Sequence, residues 1–539
     1  MRIRLEPSTA LFPLLALLPL VLGGCTVDES TPNDGSSGSS ATGGNAGSTA
    51  GRGGAGGAGA ASGGTAGKGA GGAAGSGAGS GGAAGSGAGS GGAAGAGAAS
   101  GGAAGSGAGS GGAAGAGTGG ALAGTGGGAG SGAGAGGGGG SGTGGGDITT
   151  FVEDPGADCS IAAMPSADSL MADPKLPDPF KKMDGTAMTN KSEWVCRREE
   201  ILRLGYEFIY GEKPRTPKTA VTGSVSNNSI SVTVNDGGMT SFSVSVSLPS
   251  SGSAPYPAVI GFGGIGFSGE LGSRGIASIN YSAYTVGDEN GGSGPKAGGF
   301  YDVYGSDHPA GLLVAWAWGV SRILDVLEQH PDVIDPKRIG VTGCSRFGKG
   351  AFVVGVLDNR IALTVPVESG VGGTPALRLI GNLDSGGEWP YHAISYERWF
   401  SQENLSEFAT ANNANGDTTD RLPVDMHEMM GLIAPRGLYI VDNPSTNYAG
   451  LNRNSSWVTA NAGAKIYEAL GVPDNITYQG ASGGHCQWRS QYTAPLVANL
   501  EKFLLGDASA ATGTFESGFS GPNPEDHYDW SVPTLAGEL

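Results

Sequence analysis

The sequence predicts an α/β fold, a mainly parallel sheet covered by helices on both faces. Three observations predict it. Apolar strand-like runs alternate with longer helical patterns between about residues 257 and 367. One of those runs, Arg338 to Gly343, ends in glycine and leads through Ser345 into a helical pattern reaching about Leu357. A glycine-flanked histidine, His485, follows late in the chain.

The elements follow in order. The globular part opens with Leu176-Pro-Asp-Pro-Phe180 and a helical pattern over about residues 192–210. Ile230, Val232 and Val234, then Phe242, Val244, Val246 and Leu248, alternate with polar residues as two strands. Asp236-Gly237-Gly238 between them reads as a hairpin turn. Residues 257–262 form a continuous apolar run, a buried strand, that enters Gly263-Gly264. A long amphipathic helix is expected over about residues 310–329, and residues 361–367 give another buried strand.

Composition bounds the rest. Of 539 residues, 107 are glycine, and most lie in a Gly/Ala/Ser tract from about residue 35 to residue 146. With almost no large apolar side chains, such a tract cannot offset the entropy of ordering. It carries an approximate ten-residue repeat from Gly71, Gly81 and Gly101, but nothing apolar to stack as a solenoid. A flexible tether with a reach of roughly 55–65 Å is the expectation. Arg2 and Arg4, the apolar run from Ala10 to Leu22 and then Leu22-Gly23-Gly24-Cys25 read as a secretory signal. The cysteine after the small residues resembles a lipobox, with Cys25 as the lipid site. The expected division is residues 1–25 signal, 26–148 disordered linker and 149–539 one hydrolase domain. The chain would be exported, anchored by lipid at the cell surface or secreted, and monomeric. A net charge of −18 argues against nucleic acid as a partner.

The chemistry centres on Val341-Thr-Gly-Cys-Ser-Arg-Phe-Gly-Lys349. A strand, a glycine, one small residue, a serine and a helix make a nucleophile elbow, which lifts the hydroxyl above the sheet. The helix N-terminus offers free N–H groups where an oxyanion would form. Phe347 stands where a second glycine is usual, and Gly348 comes one place late. Of six histidines, His330 falls in a turn and His527 in the tail, and position alone does not exclude His308, His392 or His427. His485, in Ser482-Gly-Gly-His-Cys-Gln-Trp488, is preferred because a serine, acid, histidine order is that of α/β-hydrolases. Those enzymes are three-layer αβα sandwiches, and that is the architecture expected here. The acid is Glu368, at the end of the strand after the elbow helix, with Asp442 as its rival. Cys344 precedes the serine and Cys486 follows the histidine. If Ser345 and His485 meet, these cysteines are close enough to bond, and Cys159 then pairs with Cys196.

Taken together, these residues resemble the glucuronoyl esterases, carbohydrate esterase family 15. The resemblance spans about residues 176–506. It rests on Leu176-Pro-Asp-Pro-Phe180, Trp194-Val-Cys-Arg-Arg198, Phe300-Tyr-Asp-Val-Tyr-Gly305, Ala315-Trp-Ala-Trp-Gly-Val-Ser-Arg322 and Gly343-Cys-Ser-Arg-Phe-Gly-Lys349, continued by Glu368-Ser-Gly, Leu432-Ile-Ala-Pro-Arg-Gly437 and His485-Cys486. It implies a serine esterase acting on esters of glucuronic or 4-O-methylglucuronic acid, as in crosslinks of glucuronoxylan to lignin. Ser345, Glu368 and His485 would be catalytic, and Arg346 would stabilise the oxyanion. Lys349, one helical turn beyond Ser345, would bind sugar hydroxyls, with Glu388 and Tyr448 as further contacts. Asn447 stands where some bacterial members carry a second acid, which favours Glu368. No cofactor or metal is expected. The competing readings are another carbohydrate esterase, such as an acetylxylan esterase, and an inactive binding protein on a stalk.

Overall fold

The chain divides into two units, residues 1–128 and residues 129–539. The computed structural model describes residues 152–539 of the second unit, apart from 157, 293, 385, 386, 396, 397, 410–417 and 445–450 and the side chains of 392 and 395. The signal expected over 1–25 with Cys25, the linker of 26–148, Asn447 and Tyr448 lie outside the described residues.

Ten strands form one sheet. At one edge β1 (Val221–Val225), β2 (Ser229–Asn235) and β3 (Met239–Ser247) run antiparallel. Alternation explains this edge: Ile230, Val232, Val234, Val244 and Val246 are buried, while the serines and threonines between them face outward. On that wet face Thr233 and Ser241 pair across strands at 2.9 Å. β3 joins β5 (Ala277–Tyr281) antiparallel. From there β5, β4 (Tyr256–Phe262), β6 (Ile334–Cys344), β7 (Ile361–Val367), β8 (Gly437–Asp442), β9 (Ile476–Gly480) and β10 (Phe515–Glu516) are parallel.

The parallel strands are buried on both faces, and their alternation feeds two cores. Ile260, Val341 and Ile440 point into one, with the helices Leu312–Gln329, Arg346–Leu357 and Met426–Ile433. Val259, Val365, Tyr439 and Val441 point into the other, with the helix Ser490–Phe503 and Leu271. This is the expected sandwich of helix, sheet and helix. The chain leaves β4 for β5 on one side and then returns to β6 on the other. Such a reversal opens a crevice beyond the strand ends, where α/β folds place ligands.

Some boundaries differ from expectation. The helical pattern over 192–210 becomes an α-helix, Trp194–Gly205, and then a π turn, Tyr206–Tyr210. It stops at Gly211, whose φ is +74° and where a Cβ would lie 2.6 Å from Ala310 Cα. The strand expected from Arg338 begins earlier, at Ile334. The helix expected to be amphipathic, Leu312–Gln329, is instead buried from Leu312 through Leu327. Its polar stripe meets charge rather than water: Asp325 bonds Arg360 at 2.6 Å, and Ser321 donates to Asp358 at 2.7 Å.

Candidate active site

β6 ends at Cys344, and Ser345 takes φ 59° and ψ −128° before the helix Arg346–Leu357 begins. That strained conformation is held from behind, where the Ser345 N–H donates to Val367 O of β7 at 2.9 Å. Two glycines allow it. A Cβ on Gly343 would lie 2.3 Å from Phe347 O, and one on Gly348 would lie 2.5 Å from Val367 O. The late second glycine is therefore the position where the elbow helix crosses β7. Phe347, in the usual glycine place, turns the other way. Its ring packs 5.5 Å from Tyr284 and 5.8 Å from Trp316, beneath Gly263.

Glu368 follows β7 as Ser345 follows β6, and it is also at positive φ, 45°. Its N–H donates to Val441 O at 2.7 Å, which ties it to β8. The carboxylate is 1% exposed and its Oε2 lies 2.6 Å from His485 Nδ1. The same oxygen accepts the Cys486 N–H at 3.2 Å. Facing a carboxylate, Nδ1 is the nitrogen that carries the proton and donates it to Glu368.

The histidine loop is fixed from both sides. Asn443 Nδ2 donates to Gly483 O at 3.0 Å, and the Gly483 N–H donates back to Asn443 Oδ1 at 3.3 Å. Cys486 is disulfide-bonded to Cys344, with Cα atoms 5.7 Å apart. One covalent bridge thus joins the residue before the serine to the residue after the histidine. Cys159 and Cys196 are bonded likewise.

Asp442 is as buried as Glu368 but engaged elsewhere, accepting from Ser456 Oγ at 2.6 Å and Tyr478 OH at 2.9 Å. Burial pushes its carboxyl up to about 6, against the pull of those two hydroxyls, and the nearby Glu368 charge adds to the rise. The other histidines with described side chains have structural engagements. His427 is fully buried, its Nε2 2.9 Å from Pro177 O, and burial lowers it to about 4. His308 accepts the Ala310 N–H at 3.2 Å, and His330 Nε2 lies 3.1 Å from Gly223 O. His527 accepts the Leu176 N–H through its backbone carbonyl. The side chain of His392 lies outside the described residues.

Two cations flank the elbow. Lys349 is fully buried; its Nζ donates to Ser369 O at 2.6 Å and to Glu388 Oε2 at 2.7 Å. Glu388 also accepts the Val371 N–H at 3.0 Å. The pair fits only because residue 370 is glycine, since a Cβ there would lie 2.3 Å from Glu388 Oε2. Arg346 reaches Glu289 through Nη1 and lies 5.8 Å from the Trp399 ring centroid. Lys349 Nζ stands 4.6 Å from the same centroid. Sequence reading did not single out Glu289 or Trp399. The signal for Trp399 was an aromatic pair, Trp399-Phe400, in an otherwise polar stretch; Glu289 had none.

A strained serine over parallel strands, with a histidine held by a buried carboxylate, defines a serine hydrolase of the α/β-hydrolase fold. Residues 230–471 match a family model described as glucuronyl esterase, fungi. The chain is 39% identical over 388 residues to the 4-O-methyl-glucuronoyl methylesterase of Hypocrea jecorina, covering 71% of this chain and 80% of the relative. It belongs to the glucuronoyl esterase family. A second relative, the 4-O-methyl-glucuronoyl methylesterase of Podospora anserina, is 40% identical over 67% of this chain and 75% of its own. The solved glucuronoyl esterase catalytic domain of Hypocrea jecorina aligns with a TM-score of 0.62 at 37% identity, covering 69% of this chain and all of that one. A serine-to-alanine mutant of the Sporotrichum thermophile glucuronoyl esterase, solved with methyl 4-O-methyl-β-D-glucopyranuronate, aligns at 0.64 and 36% identity, covering 70% and 100%.

Proposed function

We propose that the protein hydrolyses esters of glucuronic or 4-O-methylglucuronic acid, with Ser345 as nucleophile. The observation that carries this reading is the 2.6 Å contact of Glu368 with His485, in a loop bonded by Cys486 to the residue beside Ser345. Ser345 Oγ attacks the uronate carbonyl carbon while His485 Nε2 takes its proton. The Arg346 N–H and guanidinium receive the oxyanion. The tetrahedral intermediate expels the alcohol, which leaves with the proton from His485. Water, deprotonated by the same imidazole, then attacks the acyl-enzyme and frees the uronate. Lys349 and Glu388 are the sugar-hydroxyl contacts of this reading: the buried ammonium holds the part-exposed Glu388 carboxylate, which offers an acceptor that suits a polyol and does little for an acetyl group. Tyr448, outside the described residues, is a further sugar contact in this reading.

The natural esters in this reading join glucuronoxylan side groups to lignin alcohols. The N-terminal pattern supports export, by a signal through residue 25, with Cys25 as the lipid site and residues 26–148 as a tether. Turnover of benzyl glucuronate against an acetylated xyloside tests the substrate class. Uronate esters are expected to be cleaved far faster, and activity confined to acetyl esters would refute the reading.

A further inference from the structure

The guanidinium of Arg346 sits on a long, flexible side chain that is 40% exposed. A donor of that kind lowers a barrier only if it is already aimed when charge develops. Something must hold it, and the group that does so is a buried carboxylate. Glu289 is 7% exposed and surrounded by donors. Its Oε2 accepts from Arg346 Nη1 and from Tyr284 OH, the latter at 3.3 Å. Its Oε1 accepts from Trp399 Nε1 at 2.8 Å. Tyr284 stays protonated as a donor, because burial and the Glu289 charge push its phenol up to about 12.

Glu289 is itself fixed by the loop that carries it. The Gly292 N–H closes back on Glu289 O at 2.8 Å, and the Asp288 N–H donates to Ala297 O at 2.9 Å. Arg398, next to Trp399, donates to Gly292 O at 2.8 Å, so the two loops are clasped together. Trp399 turns its indole N–H to Glu289 and its ring face toward Lys349 and Arg346.

We infer that Glu289, braced by Trp399, is a positioning residue that aims the Arg346 guanidinium at the oxyanion. This rests on the reading of Arg346 as an oxyanion donor. A buried carboxylate on this cation tunes the reaction in a definite way: it immobilises the donor before substrate arrives. Its loss acts on the transition state through Arg346 and leaves ground-state binding largely unchanged.

A double-mutant cycle on the full chain, read by kcat and KM on benzyl glucuronate, separates the possibilities. Glu289→Gln keeps size and polarity but loses the charge. It is expected to lower kcat by about tenfold or more, part of the loss typical of a missing oxyanion donor, with KM changed less than about twofold. In an Arg346→Ala background the same substitution is expected to change kcat by less than about twofold. Glu289→Asp, which restores the charge at shorter reach, is expected to recover part of the loss. An equal loss in both backgrounds, or a loss carried by KM, overturns the positioning role. If Arg346→Ala itself leaves kcat unchanged, the oxyanion reading of Arg346 fails and this inference with it. If Arg346→Ala is impaired while Glu289→Gln is not, only the inference fails.

Discussion

Glu368 Oε2 lies 2.6 Å from His485 Nδ1 and accepts the neighbouring Cys486 N–H at 3.2 Å, so one carboxylate oxygen orients both the imidazole and its loop. The carboxylate comes from the end of β7, the strand beside the nucleophile strand, and Asp442 at the end of β8 does not share this role. Glu368→Gln is expected to lower kcat by about 10³–10⁴-fold, because an amide can present the wrong tautomer partner. Asp442→Asn is expected to keep kcat within about tenfold, since it leaves that contact intact. Steady-state kinetics on benzyl glucuronate check both.

The disulfide between Cys344 and Cys486 spans 142 residues of chain. Replacing both cysteines with serine is expected to lower stability by about 4–5 kcal/mol on chain-entropy grounds. It is also expected to reduce kcat, because a displacement of about 1 Å in a catalytic group can cost on the order of 10²-fold. Denaturant melts and turnover at a temperature where the variant is folded measure the two effects separately.

Asp442 gives a pH dependence with a definite sign. Its folded value, raised to about 6 by burial, exceeds the unfolded value of about 3.9. The protonated carboxyl therefore contributes stability that is full below pH ~4 and lost as pH rises through about 6. Asp442→Asn lacks this titration. The variant is expected to gain on the parent protein by on the order of 2–3 kcal/mol between pH 4 and pH 7.5, as read by chemical denaturation.

Glu153 anchors the start of the described chain to the buried helix. It pairs with Lys213 at 2.8 Å and with Arg322, and lies 3.7 Å from Arg360. All three cations are buried. Glu153→Gln leaves them short of countercharge and is expected to destabilise by about 3–5 kcal/mol. Activity per folded molecule should be unchanged, since none of these residues belongs to the site around Ser345.

Much of the site was legible in sequence because it is built from local geometry. A strand ending in Gly343, a serine and a helix can do little but expose the hydroxyl. Lys349 follows one turn later on the same helix, and the two cysteines flank the serine and the histidine. Glu289 and Trp399 were not legible. They lie on loops without periodicity, on either side of the elbow in sequence, and meet only after the crossovers from β5 to β6 and from β7 to β8 have folded. The polar stripe of the helix Leu312–Gln329 misled for a related reason. An amphipathic helix was expected there, whereas Asp358 and Arg360 from another part of the chain engage Ser321 and Asp325.

The most direct test of the account is hydrolysis of benzyl glucuronate by the full chain and by its Ser345→Ala variant, with an acetylated sugar run alongside. Uronate cleavage is expected, lowered by the substitution about 10⁶-fold to the residual level of a site without its nucleophile. Undiminished cleavage by Ser345→Ala, or cleavage of the acetyl ester alone by the parent chain, would contradict it.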